Sequence, residues 1–365
     1  MPSYSGVHGI SSYLEMARVI SNRSPALQPL VFARIVAAKL LSGLSAFEYG
    51  LYGLHDKPLS VARQYMTKKQ TTALLERVNP KDQRLLVDDK LRFHRRCRTA
   101  GVPAVDVLAV LNRDGEKDAD EVVFADFRAL LKQWQGRPTI DLILKPRTDS
   151  LGTGIRFISL REGGAFDLDG AAIDIAAFSN DLAADMQRDD YLVQPFVRPH
   201  SEIAALGEGR ALGTLRVLSF LDGEQVRVLY AFLRIPAAGN VHDNFSSGAT
   251  GNLVAHVELL GGRLGPAWGR PKHSPSRLLQ RHARNPATGI QIEGVLVPYW
   301  KEVGALIFRA ARLFPELPCL AWDVAVTTNG PLLIEANANA DMVGAQVCCG
   351  TGARAMLAPV IARYG

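Results

Sequence analysis

The chain has 365 residues, 47% of them hydrophobic, enough to fill the cores of two or three lobes and too apolar for a disordered chain. Lysine plus arginine (42) exceed aspartate plus glutamate (36), and the resulting +6, spread along the chain, favours small anionic ligands over a nucleic-acid groove. The cysteines Cys97, Cys319, Cys348 and Cys349 show neither Cys-x-x-Cys nor zinc-type spacing. Reduced thiols in a cytoplasmic protein are therefore expected, and Met1-Pro-Ser-Tyr-Ser lacks an export-signal pattern.

Residues 1–85 read as helices separated by short breaks, with an amphipathic pattern over Glu15–Ile20 and apolar residues at helical spacing from Leu30 to Tyr52. Arg34, Lys39 and Glu48 interrupt the most apolar early stretch, so packing on the body is expected rather than stable membrane insertion. Ser60–Leu75, with Arg63, Lys68 and Lys69, reads as a solvated helical face. From Asp88 a capped helix runs to Gly101 with Lys90 in its first turn, beside the positive helix end, where a bound anion would offset the charge. Phe127–Trp134 and Phe178–Met186 are short helices.

Ile140–Ile158 is strand, Gly-rich loop, strand. Lys145 ends the apolar run, and Gly152 and Gly154 let the backbone fold closely over a ligand, although a plain Gly-rich hairpin has the same signature. The glycines follow the lysine, so this is no Walker A loop. Tyr191–His200 is a short strand broken by prolines. Two long strands, Gly213–Phe220 and Val226–Ile235, are joined by Asp222-Gly223 and interrupted by Arg216 and Arg234, which are either solvent-facing or aimed into a cleft. Asn240–Gly251, including Asn244, is a flexible polar loop. Tyr299–Leu313 is an amphipathic helix, and Gly344–Tyr364 reads mostly as a closing helix.

Leu320–Asn339 is a hairpin turned at Asn329-Gly330, with Asp323 on the first strand and Glu335 and Asn337 on one face of the second. Two carboxylates and an amide suit a hard cation such as Mg²⁺; a polar-ended turn is the other reading.

In their order along the chain, Asp89-Lys90, Leu144-Lys145-Pro146 with Gly152 and Gly154, Val193-Gln194-Pro195-Phe196-Val197, Thr214-Leu215-Arg216-Val217, Asp243-Asn244-Phe245, Asn285–Gly289, Trp322-Asp323-Val324-Ala325 and Glu335-Ala336-Asn337 resemble the ATP-grasp superfamily. The resemblance is strongest to its sugar-transfer-associated, alpha-L-glutamate-ligase-like branch and covers the chain from about Leu86 onward. It implies an α+β ATP-grasp fold, two α+β lobes gripping ATP between antiparallel sheets, after a mainly helical N-terminal region. The implied divisions are 1–85, a small lobe 86–200 and a large lobe 201–365.

By the same resemblance, Lys90 and Lys145 would contact ATP phosphates under a loop of Ser150, Gly152, Thr153 and Gly154. Gln194, Pro195, Phe196 and Val197 would form the adenine hinge; the ribose contact falls on Ser201 or Glu202. Asp323, Glu335 and Asn337 would hold Mg²⁺, while Arg216, Arg234 and Asn244 would face the phosphoryl group and the acceptor carboxylate. Many relatives carry an arginine two residues before the first metal aspartate; Ala321 stands there, which shifts that role to Arg216. The implied activity is carboxylate–amine ligation of small molecules through an acylphosphate, by a monomer or a homodimer. A small-molecule kinase and a nucleotide-binding module without turnover are the alternatives.

Overall fold

The computed structural model describes residues 9–21, 24–113, 120–148, 154–162, 164–167, 169–208, 211–274 and 278–365. The N-terminal part is helical: α1 (Ile10–Ile20), α2 (Gln28–Ser42), α3 (Ala46–Leu51), α4 (Lys68–Val78), the single turn α5 (Leu85–Asp88) and α6 (Lys90–Thr99). The run expected from Leu30 to Tyr52 is two helices, because Ser45 and Glu48 form a capping box that starts α3 afresh. Ser60–Leu75 departs further from its solvated-helix reading. A 3₁₀ stretch and an extended segment precede α4, and Tyr65 and Met66 are buried.

The first sheet contains β1 (Ala109–Leu111), β2 (Val123–Phe124), β3 (Ile140–Pro146), β4 (Arg156–Arg161), β5 (Gly164–Phe166) and β6 (Tyr191–Pro195), in the order β2-β1-β6-β3-β4-β5. One face packs on α7 (Phe127–Trp134) and α8 (Ile175–Asp185) through Leu142, Leu144, Leu130 and Leu182. Strand alternation therefore turns Ile143 and Lys145 to the opposite face.

After α9 (Ser201–Leu206) comes an antiparallel sheet of β7 (Leu215–Asp222), β8 (Gln225–Ile235), β9 (Leu253–Val257), β10 (Leu264–Gly269), β11 (Gln280–His282), β12 (Cys319–Thr327) and β13 (Gly330–Asn337). Its order is β11-β10-β9-β8-β7-β12-β13, and α10 (Trp300–Ala311) covers one face over Val217, Ala231, Trp322 and Val324. The other face carries Leu218, Phe220, Phe232 and Ala321 against the N-terminal helices and the closing helices α11 (Val343–Cys348), α12 (Ala353–Met356) and α13 (Ala358–Tyr364). The single closing helix expected there is three pieces. A Cβ at Gly352 would lie 2.1 Å from the Gln64 carbonyl oxygen, so only glycine permits that crossing.

The helical layer is locked to the hairpin by buried amides. Asn79 donates through Nδ2 to the carbonyls of Cys319 and Ala338, both at 2.6 Å, and accepts from the Cys319 amide at 3.2 Å. Gln346 likewise bonds both backbone groups of Met66 at 2.9 Å. Asn79→Ala leaves three buried backbone groups without partners and is expected to lower the unfolding free energy by about 3 kcal/mol. Urea denaturation with an unchanged m-value checks this; an unchanged midpoint contradicts the tie.

Candidate active site

A cleft of about 1130 Å³, open solvent at its mouth included, lies between the exposed face of the first sheet and one end of the second. Its apolar wall includes Val105, Ile143, Ile155 and Phe157 with Pro195, Phe196 and Val197. The rings of Phe157 and Phe196 meet edge to face at 6.0 Å. Such a slot suits a flat aromatic ring, with Gln194 buried beside it and donating to the Val105 carbonyl at 3.5 Å.

The polar floor follows from strand register. Asp323 lies directly opposite Glu335 on β13 and directly opposite Arg216 on β7. A bulge after Asp323 leaves Ile334 unpaired and brings Ile334, Glu335 and Asn337 all to the cleft. Like charges directly opposite one another are unfavourable, and two guanidiniums answer them. Arg216 Nη2 donates to Asp323 Oδ2 at 3.0 Å, and its Nε stands 2.5 Å from Oδ1 without hydrogen-bond alignment. Arg234 Nη2 lies 2.8 Å from Asp323 Oδ2. Burial raises the Asp323 carboxyl, but Arg216 and Arg234 outweigh it and hold the group below the ordinary carboxylate range. Ala321 is fully buried opposite Leu218 and Asn337, so the guanidinium reaches Asp323 from the neighbouring strand instead.

Arg234 is itself fixed from behind. Its Nε lies 3.1 Å from both Asp243 Oδ2 and Thr214 Oγ1, and its Nη1 is 3.4 Å from Asn244 Oδ1. Thr214 donates to Asp243 Oδ2 through its hydroxyl at 2.6 Å and its amide at 3.0 Å. Thr214 and Asp243 went unassigned in the sequence reading. Their signal was a buried arginine on β8 followed by a loop offering a carboxylate.

From the first sheet, Lys145 enters the cleft almost fully buried. Burial, with Lys90 adding repulsion and Glu335 and Asp323 opposing, pushes its ammonium down to about 8. Lys90 also lines the cleft, and its helix is anchored by Arg147. That guanidinium donates to Asp89 Oδ1 at 2.9 Å and Oδ2 at 2.7 Å, while Asp89 caps α6 and the Lys90 amide donates to the Arg147 carbonyl at 3.1 Å. Arg147 was absent from the sequence candidates.

The loop candidates Ser150, Gly152 and Thr153 lie outside the described residues. Gly154 closes that loop at φ +74°, and a Cβ there would meet the Tyr191 hydroxyl at 2.6 Å. Glu202 is exposed in the first turn of α9 and does not line the cleft. Among the described residues no cluster of three or more His, Cys, Asp or Glu gathers as a metal site. The oxygen-bearing side chains are Asp323, whose carboxylate is shared with Arg216 and Arg234, Glu335, and Asn337, whose Nδ2 lies 3.5 Å from Glu335 Oε1. That all-oxygen set fits a hard cation that keeps water and phosphate oxygens as further ligands.

No curated protein matches the chain in sequence. Among solved structures, ATP-grasp ligase PsnB complexed with minimal precursor is 13% identical, with TM-score 0.40, over 79% of this chain and 63% of that one. D-alanine–D-alanine ligase from Bacillus anthracis complexed with ATP is 10% identical, TM-score 0.38, over 76% and 66%. VanG D-Ala:D-Ser ligase from Enterococcus faecalis is 14% identical, TM-score 0.40, over 76% and 61%. The chain thus spans less than two thirds of the length of each of these three. Residues 69–361 match the family described as sugar-transfer associated ATP-grasp, and the chain belongs to that family.

Proposed function

We propose that the chain is a cytoplasmic, ATP- and Mg²⁺-dependent ligase that activates a carboxylate as an acylphosphate and joins it to an amine on a small metabolite or sugar precursor. One observation carries this reading: buried Lys145 and the cross-strand pair Asp323–Glu335, with Arg216 and Arg234, converge on one cleft between two sheets. The apolar slot would take adenine against Gln194 to Val197, and Lys90 and Lys145 would face the phosphates. Asp323, Glu335 and Asn337 would hold Mg²⁺, which when bound supplies charge neutralisation at the transferring group.

An acid oxygen attacks the terminal phosphorus of ATP, the bond to the ADP oxygen breaks, and an acylphosphate forms. The amine then attacks the acyl carbon, phosphate leaves, and the nitrogen gives up a proton. Arg216 and Arg234 supply positive charge toward these steps from positions already held by Asp323, Asp243 and Thr214, so little reorganisation accompanies reaction. Asn244, on the Arg234 guanidinium, borders the place for the acid.

Glu335→Ala is expected to abolish Mg²⁺-dependent ADP release in the presence of acid and amine pools without shifting the melting temperature, because the carboxylate is half-buried at the cleft rather than in a core. Release at the wild-type rate removes the metal assignment. A phosphorylated product formed without any amine would make the enzyme a kinase instead.

Protonated Lys145 is the form that attracts phosphate, and its pKa of about 8 sets a pH limit. ATP affinity is expected to fall as pH rises through that value, with proton uptake on binding above it. Lys145→Met should bind about tenfold more weakly at neutral pH and lose this pH dependence. Calorimetry in buffers of different ionisation enthalpy reads both; a pH-independent wild type contradicts the assignment.

A further inference from the structure

The N-terminal helices carry an apolar face that the large sheet leaves uncovered. On α2, Leu30, Ala33, Ala37, Leu40 and Leu41 fall on one side at helical spacing, with Leu40 82% and Leu30 59% exposed. On the packed neighbour α1, Ile10 is 72% exposed and Leu14 lies one turn away on the same side. The stretch Pro25–Ser42, 18 residues of mean hydropathy 1.2, is long and apolar enough to cross a bilayer, yet its opposite side holds Ile35 and Ala38 fully buried in the core shared with Tyr49 and Leu75. A spanning arrangement would tear that core apart, so the helix can meet lipid only lying flat.

Charge bears on the occupant: of the exposed charged side chains on α1 and α2, Arg18 and Lys39 are basic and Glu15 is acidic. Arg18 is exposed one turn beyond Leu14, and Lys39 is exposed beside Leu40, its Nζ on the Gly43 carbonyl at 3.1 Å. An anionic lipid surface complements both the apolar stripe and its basic flanks, Arg18 and Lys39. We propose that the α1–α2 face docks the protein on the surface of an anionic membrane, with α2 lying in the interface plane.

Flotation of the full chain with phosphatidylcholine vesicles, with and without phosphatidylglycerol, tests this. Binding is expected only with phosphatidylglycerol and is expected to be released by salt. Leu30→Gln with Leu40→Gln should lower partitioning about tenfold or more, and Arg18→Gln with Lys39→Gln by a similar factor, with melting temperature and ATP binding unchanged. The Arg/Lys pair alters only exposed side chains, so its result stands even if the leucine pair unfolds. Absence of binding to phosphatidylglycerol vesicles overturns the proposal, as does wild-type binding by the Arg18/Lys39 variant. A wild-type dimer that the leucine substitutions convert to monomer overturns it in favour of self-association.

Discussion

Asp323 and Glu335 stand directly across adjacent strands, and the repulsion between two carboxylates at that register is the constraint around which the cleft is built. Arg216 is the directly opposite residue on the other side of Asp323, and Arg234 reaches the same carboxylate from one strand further. Lys145 brings a further cation from the other sheet. Removing Asp323, Arg216 or Arg234 leaves its buried partners uncompensated, so these three groups form a single electrostatic unit at the floor of the cleft. With Lys90, four cations line the cleft against the three carboxylates of Asp243, Asp323 and Glu335, and that excess is what recommends it for a polyphosphate.

The rest of the fold keeps that unit in register. On β12, Cys319 and Ala321 pack under the helical layer while Leu320, Trp322 and Val324 pack on the opposite side, so the alternation that buries the strand also turns Asp323 toward the cleft. Asn79 clamps the start of β12 to the chain just beyond β13. The segment before the first sheet pairs with β13 as well: the Val105 amide donates to the Leu333 carbonyl at 2.9 Å, and the Leu333 amide donates to the Pro103 carbonyl at 3.1 Å. Hairpin, helical layer and first sheet therefore share one frame.

Local chemistry made much of this legible in the sequence. Asn329-Gly330 and Asp222-Gly223 announce both hairpins, apolar runs ending in a charged residue mark Lys145 and Asp323, and Asp89 caps its helix as its side chain requires. What stayed hidden depends on contacts distant in the chain. The bulge at Ile334 is set by pairing rather than composition, and Thr214, Asp243 and Arg147 matter only through the arginine or helix cap they hold. Tyr65 and Met66 looked solvated beside two lysines, yet Lys57 and the Gly350 carbonyl meet the Tyr65 hydroxyl and Gln346 takes up the Met66 backbone. A closing helix failed for the same reason, since the Gln64 backbone occupies the space any side chain at Gly352 would need.

The central claim is that phosphate from ATP is placed on a carboxylate. Hydroxylamine tests it most directly, because this small amine intercepts acylphosphates as hydroxamates. With ATP, Mg²⁺, a pool of carboxylic acids and hydroxylamine, the account predicts hydroxamate in step with ADP, and its loss in Glu335→Ala. ADP release with a stable phosphorylated product and no hydroxamate, or ATP binding without turnover in any acid pool, would contradict it.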